Sequence, residues 1–315
     1  MKEIRVGVIG VGSLGRHHAR IYAELPEARL VGVADIDAAR AAAVAGKHDC
    51  LAVTDFRGLI GQVEAVSIAV PTVQHHAVAQ SCLEAGLHVL VEKPLAVTVA
   101  EARHLVEAAW AHGLTLQVGH IERFNSALRA TIGAVKTPTS IECRRWAPYT
   151  PRGADVDVVL DLMIHDLDIV LALVNAPVRE VRACGVSIVS PTTDVAHARV
   201  VFQNGCVATF SASRLAESKV RDLRVYEPEG YVVVDLARQT GIVGRRAVGT
   251  SRRSEVLTEL VRGDGREPLK LELEAFLNAV RTSASPLVSG QEGTAALELA
   301  HAIIDEIAAH PHHHR

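Results

Sequence analysis

The chain has 315 residues, 49% of them hydrophobic and 22% charged, with a formal net charge of -3. That length suits two domains of ~100–200 residues, each with its own core. The near-neutral balance, the lack of a long basic stripe and an aromatic content of 3% leave little for phosphate binding or base stacking, so nucleic acid is excluded as a partner.

In chain order, the first ~120 residues alternate β-rich runs with alanine-rich helical stretches. Strands are predicted at Ile4–Gly10, Ala28–Asp35, Val63–Val70, His88–Val91 and Thr115–Gly119. Helices are predicted at Leu14–Glu24, Asp37–Ala45, His75–Ala85 and Val99–His112. Continuous apolar strands between helices predict a parallel sheet covered on both faces, an α/β doubly wound N-terminal domain over 1–120.

After Gly119 the rhythm changes. An apolar helix is predicted over Val156–Val174. Strands follow at Val178–Val189, His197–Phe202, Cys206–Ser213, Asp222–Tyr226 and Tyr231–Asp235, joined by turns such as Gln203-Asn204-Gly205. The Arg-rich stretch Gly241–Arg253 reads as a solvated loop or an edge. Two helices, Glu272–Ser283 and Glu292–Ala309, close the chain. The expected second domain, 121–315, is α+β with an open, mainly antiparallel sheet, and its last helix is expected to pack back on the first domain. The His-rich end, His310–Arg315, reads as a frayed tail rather than a metal site. Five dispersed cysteines, Cys50, Cys82, Cys143, Cys184 and Cys206, without CxxC spacing, read as reduced thiols of a cytoplasmic protein. No run approaches the ~20 apolar residues of a membrane span.

Gly10-Val11-Gly12-Ser13-Leu14-Gly15 follows a strand and opens a helix. The first glycine allows a tight turn, the second lets a pyrophosphate approach the backbone, and the third lets helix and strand pack closely. The N–H groups at the helix start face the anion. Asp35, at the end of the second strand, is placed to accept hydrogen bonds from ribose hydroxyls and to repel a 2′-phosphate, which favours NAD over NADP. The alternative for Asp35 is a solvent-facing strand end. Asp37 is the better cap for the next helix. Ile36 and Arg40 are expected beside the adenosine, with a surface position the alternative for Arg40. Val70, Pro71, Thr72 and His75 lie after a strand end, where the ligand crevice of such sheets forms. A plain turn, with His75 and His76 capping or solvated, fits them equally.

Lys93, one of six lysines, follows Val89-Leu90-Val91 and Glu92 and precedes Pro94, a candidate for a cis bond that fixes the turn. At a strand end its ammonium can polarise a substrate hydroxyl and stabilise charge on the oxygen as hydride leaves. Glu92 and Lys93 are also expected to contact the cofactor. The alternative is a surface lysine paired with Glu92. Further on, Asp161, His165 and Asp168 are spaced i, i+4, i+7 in an otherwise apolar helix and so share a face. A carboxylate one turn from an imidazole suits a general base. The rivals are a metal site, which a hydride transfer does not need, and a satisfied core histidine. Whether Lys93 or His165 takes the proton stays open.

The glycine turn, Glu92-Lys93-Pro94 and Asp161-x-x-x-His165, in this order and spacing, resemble the glucose–fructose oxidoreductase/inositol dehydrogenase (Gfo/Idh/MocA) family over essentially the whole chain. The resemblance implies Lys93, Asp161 and His165 as the catalytic group, Arg123 near nicotinamide and substrate, and a homodimer or homotetramer built on the open sheet. Ser126 stands where the family often has proline. His120-Ile121-Glu122-Arg123-Phe124-Asn125, Arg144-Arg145-Trp146-Ala147-Pro148-Tyr149-Thr150-Pro151-Arg152-Gly153 and Asp161–Asp166 are similar to the family's nucleotide-sugar branch found beside lipid A genes. That implies a UDP-sugar substrate oxidised at a secondary hydroxyl, with substrate contacts from Lys93, Arg123, Asn125, Tyr149, Arg152, Asp161 and His165. A downstream aminotransferase would be the partner enzyme. Arg144, Arg145 and Arg152 could hold a diphosphate, and Trp146 or Tyr149 could stack on uracil or sugar. The alternatives are a surface arginine cluster, a polyol or inositol substrate, and a non-enzymatic NAD-binding sensor.

Overall fold

The structure is a computed structural model and describes residues 3–150, 156–247 and 256–310. The chain divides into two compact units, Met1–Ile121 with Glu267–Thr294, and Glu122–Arg266 with Ala295–Arg315.

In the first unit, β1 (Ile4–Ile9), α1 (Gly15–Glu24), β2 (Ala28–Ala34), α2 (Ala38–His48), β3 (Leu51–Val53), β4 (Ala65–Ile68), α3 (His75–Glu84), β5 (His88–Glu92), α4 (Val99–Ala111) and β6 (Leu116–Gly119) follow in order. The six strands form one parallel sheet in the order β3-β2-β1-β4-β5-β6. Strands β4 and β6 are buried throughout and β5 nearly so, as a sheet covered on both faces demands. Asp37 caps α2, accepting from the Arg40 N–H, and a Thr98–Glu101 capping box starts α4. Strand β3 was not expected: three residues carry too little periodicity to register.

The core of this unit combines Val6, Val8, Ile21, Tyr22, Val33 and Leu90 with Leu273, Phe276 and Leu277. The last three come from α7 (Pro268–Thr282), so a segment late in the sequence completes the first core. Each such side chain contributes roughly 1.5–3 kcal/mol when buried.

The second unit holds α5 (Ser126–Ile132), β7 (Ser140–Trp146), α6 (Ile164–Val174), β8 (Val178–Val186), β9 (Val195–Phe202), β10 (Val207–Ser213), β11 (Val220–Glu227), β12 (Gly230–Asp235), β13 (Thr240–Arg246) and β14 (Val256–Arg262). These eight strands form one sheet in the order β14-β13-β12-β11-β7-β10-β9-β8, antiparallel except for the β7–β10 pair. Inward and outward residues alternate along β9 and β10, so one face is buried. That face packs against α6 and the later residues of α8 (Gly290–Ala309), through Ile164, Leu167, Val170, Ala300 and Ile303.

Two expectations are corrected here. Residues 241–246 of the Arg-rich stretch belong to β13, an inner strand paired with β12 and β14, rather than to a loop or an edge, and 248–253 lie outside the described residues. The expected uniform helix over 156–174 is not uniform: Val159–Met163 is a π-turn that runs into α6. The Ile164 N–H bonds back to the Val159 carbonyl, an i→i−5 closure. Strand β7 was also missed, because its three charges hide an alternating apolar row. Among the described residues, no helix is long and apolar enough to cross a membrane.

Candidate active site

The β1–α1 turn in the first unit has three glycines with three different reasons. Gly10 has φ +83, and a Cβ there would lie 2.8 Å from the Ala69 carbonyl. A Cβ on Gly15 would run into the Gly10 carbonyl oxygen. Gly12 meets nothing within 4 Å, so its missing side chain serves something other than the protein's own packing. Helix α1 has Leu14 at its cap position, with no side-chain cap bond and no acidic residue in its first turn. Its positive end is therefore available to an anion.

Asp35 follows β2 and is 7% exposed. Its Oδ2 accepts from the Val11 N–H at 2.9 Å, and its Oδ1 from the Asp37 N–H at 3.0 Å. Arg40 Nη1 lies 3.1 Å from Oδ1. Asp35 is thus fixed against the glycine turn, and Arg40 stays half-exposed beside it. Ile36 is 86% exposed. An open second glycine, an undressed helix start and a carboxylate at the β2 end fit a dinucleotide.

Val70, Pro71 and Thr72 follow β4 and lead into α3. His75 is spent differently from the expectation that it contacts cofactor or solvent. It is buried, with Nδ1 2.8 Å from the Pro94 carbonyl and Nε2 2.9 Å from the Val70 carbonyl. Lys93 is half-buried at the end of β5, before a cis Lys93–Pro94 bond. The Glu92 carboxylate, expected at the cofactor, is held by His18 of α1, with Oε1 and Nε2 3.0 Å apart.

In the second unit, Asp161 lies inside the π-turn and His165 in the first turn of α6, both partly buried. The extra residue in the turn re-phases Asp161 against α6, so spacing in a uniform α-helix does not fix their relation. Asp168, expected on the same polar stripe, is buried, with Oδ1 3.3 Å from Arg123 Nη1. Arg123 is thereby anchored from α6. Asn125 is a structural cap: its Oδ1 accepts from the Ala127 and Leu128 N–H groups, and its Nδ2 donates to the Leu236 carbonyl.

The arginine cluster separates. Arg145 is 2% exposed and is no diphosphate ligand. Its Nη2 is 2.7 Å from Asp166 Oδ1, and its Nη1 2.7 Å from Glu122 Oε1, which also receives Arg221 at 3.3 Å. Burial works against the Arg145 charge, but the two carboxylates outweigh it and hold its proton more tightly than usual. Arg144 stays near the surface, paired with Asp222 and lying 5.3 Å over the Trp146 ring. The Trp146 indole N–H donates to the Ser211 hydroxyl at 2.9 Å. Tyr149 is 42% exposed. Arg152 lies outside the described residues.

The sequence reading missed Glu122, Asp166 and His18 as structural partners. A signal for Arg145 was present: Ile141, Cys143 and Arg145 alternate along β7, so Arg145 points to the core with them.

Two sequence profiles match the chain. One, described as the oxidoreductase family, NAD-binding Rossmann fold, covers residues 4–120, and the GFO/IDH/MocA C-terminal domain covers residues 123–233. A UDP-N-acetylglucosamine 3-dehydrogenase from Acidithiobacillus ferrooxidans is 40% identical over 95% of this chain and 96% of its own length. The chain belongs to the GFO/IDH/MocA family of oxidoreductases. A solved structure of that Acidithiobacillus ferrooxidans enzyme matches with a TM-score of 0.93 at 38% identity, covering 98% of this chain and 99% of the other. A myo-inositol 2-dehydrogenase from Thermotoga maritima is 28% identical over 95% of each chain. The fold is shared with levoglucosan dehydrogenase solved with NADH and levoglucosan, at TM-score 0.87 and 21% identity over 98% of each chain. The GFO/IDH/MocA first unit is the NAD-binding one, and the glycine turn and Asp35 are the parts of it that fit the cofactor.

Proposed function

We propose that the protein oxidises the C3 hydroxyl of UDP-N-acetylglucosamine to a ketone. The observation that carries this reading is the 40% identity, end to end, with a UDP-N-acetylglucosamine 3-dehydrogenase. NAD, when bound, supplies the acceptor for the carbinol hydride. The turn Gly10, Val11, Gly12, Ser13, Leu14 and Gly15 receives the pyrophosphate, with the N–H groups of Gly10 and Val11 spent on the Ala34 carbonyl and Asp35 and those further along the turn facing the anion, and Asp35 accepts from the adenosine ribose. Lys93 donates to the substrate oxygen and stabilises its developing charge. His165 takes the hydroxyl proton, and Asp161 orients the imidazole. Arg123, braced by Asp168, and the exposed Tyr149 contact the sugar nucleotide. A product ketone of this kind is a substrate for an aminotransferase.

A cyclic polyol is the second reading, favoured by full-length similarity to inositol dehydrogenases. The test is NADH formation with UDP-N-acetylglucosamine, UDP-glucose and myo-inositol. The proposal expects kcat/KM at least about 100-fold higher for the acetylated nucleotide sugar than for inositol, a gap of about 2.7 kcal/mol in transition-state binding. The reverse order overturns it, and tight NAD binding without turnover on any of the three marks a sensor.

A further inference from the structure

His75 opens α3 and is 1% exposed, yet both of its ring nitrogens face backbone carbonyl oxygens, at 2.8 Å and 2.9 Å. A carbonyl oxygen only accepts, so each contact is a hydrogen bond only when that nitrogen carries its proton. A neutral imidazole has one N–H and sets a lone pair against the other oxygen. The imidazolium satisfies both. The two carbonyls belong to different strand ends: Val70 follows β4, and Pro94 follows Lys93 at the end of β5.

We propose that His75 is the positioning residue for Lys93: its ring, set between the Pro94 and Val70 carbonyls, ties the Lys93–Pro94 turn to the end of β4, most firmly when both ring nitrogens carry protons. The inference rests on Lys93 acting on the substrate oxygen. Once α3 has placed the ring between the two loops, the Pro94 carbonyl cannot drift without breaking a buried hydrogen bond. The Lys93 ammonium, one residue earlier, is aimed by the same bond. Misplacement of a reacting group by about 1 Å costs on the order of 100-fold in rate.

The arrangement responds to pH. Burial is the largest influence on His75 and opposes the charge; the two carbonyls and Glu92 favour it and Lys93 opposes it, and the balance leaves the second proton held less tightly than on an ordinary imidazole. Glu92 is tied to His18 on α1. His76, next on α3, pairs with His104 of α4 at 2.9 Å instead. Loss of the second proton releases one carbonyl, so Lys93 is held best in the protonated state of His75.

The experiment uses the full chain with NAD bound and histidines labelled with nitrogen-15, titrated from about pH 5.5 to 8.5. Signals are assigned by their loss in His75→Phe. The expected result is two protonated ring nitrogens on His75 at the acid end of the range, and a fall in kcat with the midpoint, below the ordinary imidazole value, at which the second proton leaves. His75→Phe should lower kcat roughly 10- to 100-fold, keep the NAD dissociation constant within about two-fold, and lose that limb of the profile. His75→Gln, which keeps an N–H donor and tests the site if the phenylalanine variant fails to fold, should recover part of kcat. A His75 that stays a neutral tautomer throughout, or a His75→Phe enzyme with the kcat and pH profile of the parent, overturns the inference. Lys93→Met separates the two levels. Retained turnover there removes the role of Lys93 and this inference with it, whereas a neutral His75 beside an inactive Lys93→Met overturns the inference alone.

Discussion

Arg145 and Asp166 form a two-pronged ion pair inside the second unit, with Nε 3.1 Å from both carboxylate oxygens and Nη2 2.7 Å from Oδ1. The pair ties β7 to α6, the helix that carries His165. Burial raises the Asp166 carboxyl above its ordinary range, against the pull of Arg145. Without the guanidinium the carboxylate is left buried and unpaired. Arg145→Met should therefore destabilise by about 3–5 kcal/mol, read from the denaturant midpoint. A loss under about 1 kcal/mol would mean that Asp166 finds another partner.

Asp194 gives a pH-dependent prediction. Burial alone would raise its carboxyl, but the Ser190 hydroxyl and the N–H groups of Val189, Ile188 and Ser190 outweigh it and hold it at about 2. An unfolded aspartate titrates near 3.9. The folded value is depressed, so the stabilisation is present above about pH 4 and is lost as pH falls through about 2. Its size at neutral pH is roughly 2 kcal/mol. Asp194→Asn should lose about that much at pH 7 and close the gap to the parent as pH approaches 2. A gap that stays constant with pH would refute the assignment.

The glycine turn predicts opposite phenotypes for two neighbouring substitutions. Gly10→Ala places a side chain at positive φ and against the Ala69 carbonyl, and should cost about 1–3 kcal/mol of folding stability. Gly12→Ala meets nothing within 4 Å among the described residues. Its Tm should stay within about 1 °C of the parent, equivalent to roughly 0.3–0.7 kcal/mol, while NAD affinity falls at least about tenfold. Calorimetry and NAD titration of the two proteins decide the matter.

Lys93→Met should leave NAD binding within about two-fold and lower turnover by roughly 100- to 10,000-fold, the span expected for loss of a positioned proton donor. Turnover near that of the parent would move the chemistry to another group.

Much of this was legible in the sequence, for identifiable reasons. The buried strands of the first unit, such as Val89–Val91, read as continuous apolar runs because both faces of the sheet are covered. The glycine turn and the Asp37 cap are local chemistry and so were readable. Elements governed by distant partners were not. Strand β7 carries Glu142, Arg144 and Arg145, and its sheet position shows only once β10 and β11 flank it. The π-turn at Val159–Met163 leaves no trace in hydrophobic spacing. Asn125 and Arg145 look like ligand-binding residues in one dimension because polar side chains that serve the fold and those that serve a substrate have the same composition. Only the bonds to Leu236 and Asp166 tell them apart.

The placement of α7 has a consequence for biosynthesis. Leu273 and Phe276 belong to the core of the first unit, yet they leave the ribosome about 150 residues after β6 is complete. At roughly 5–20 residues per second, translation holds that core unfinished for about 7–30 s while the whole eight-stranded sheet is made. The N-terminal sheet must therefore wait with an apolar face uncovered, and shielding by chaperones during that interval matters more to the yield of this chain than to one whose first domain is continuous.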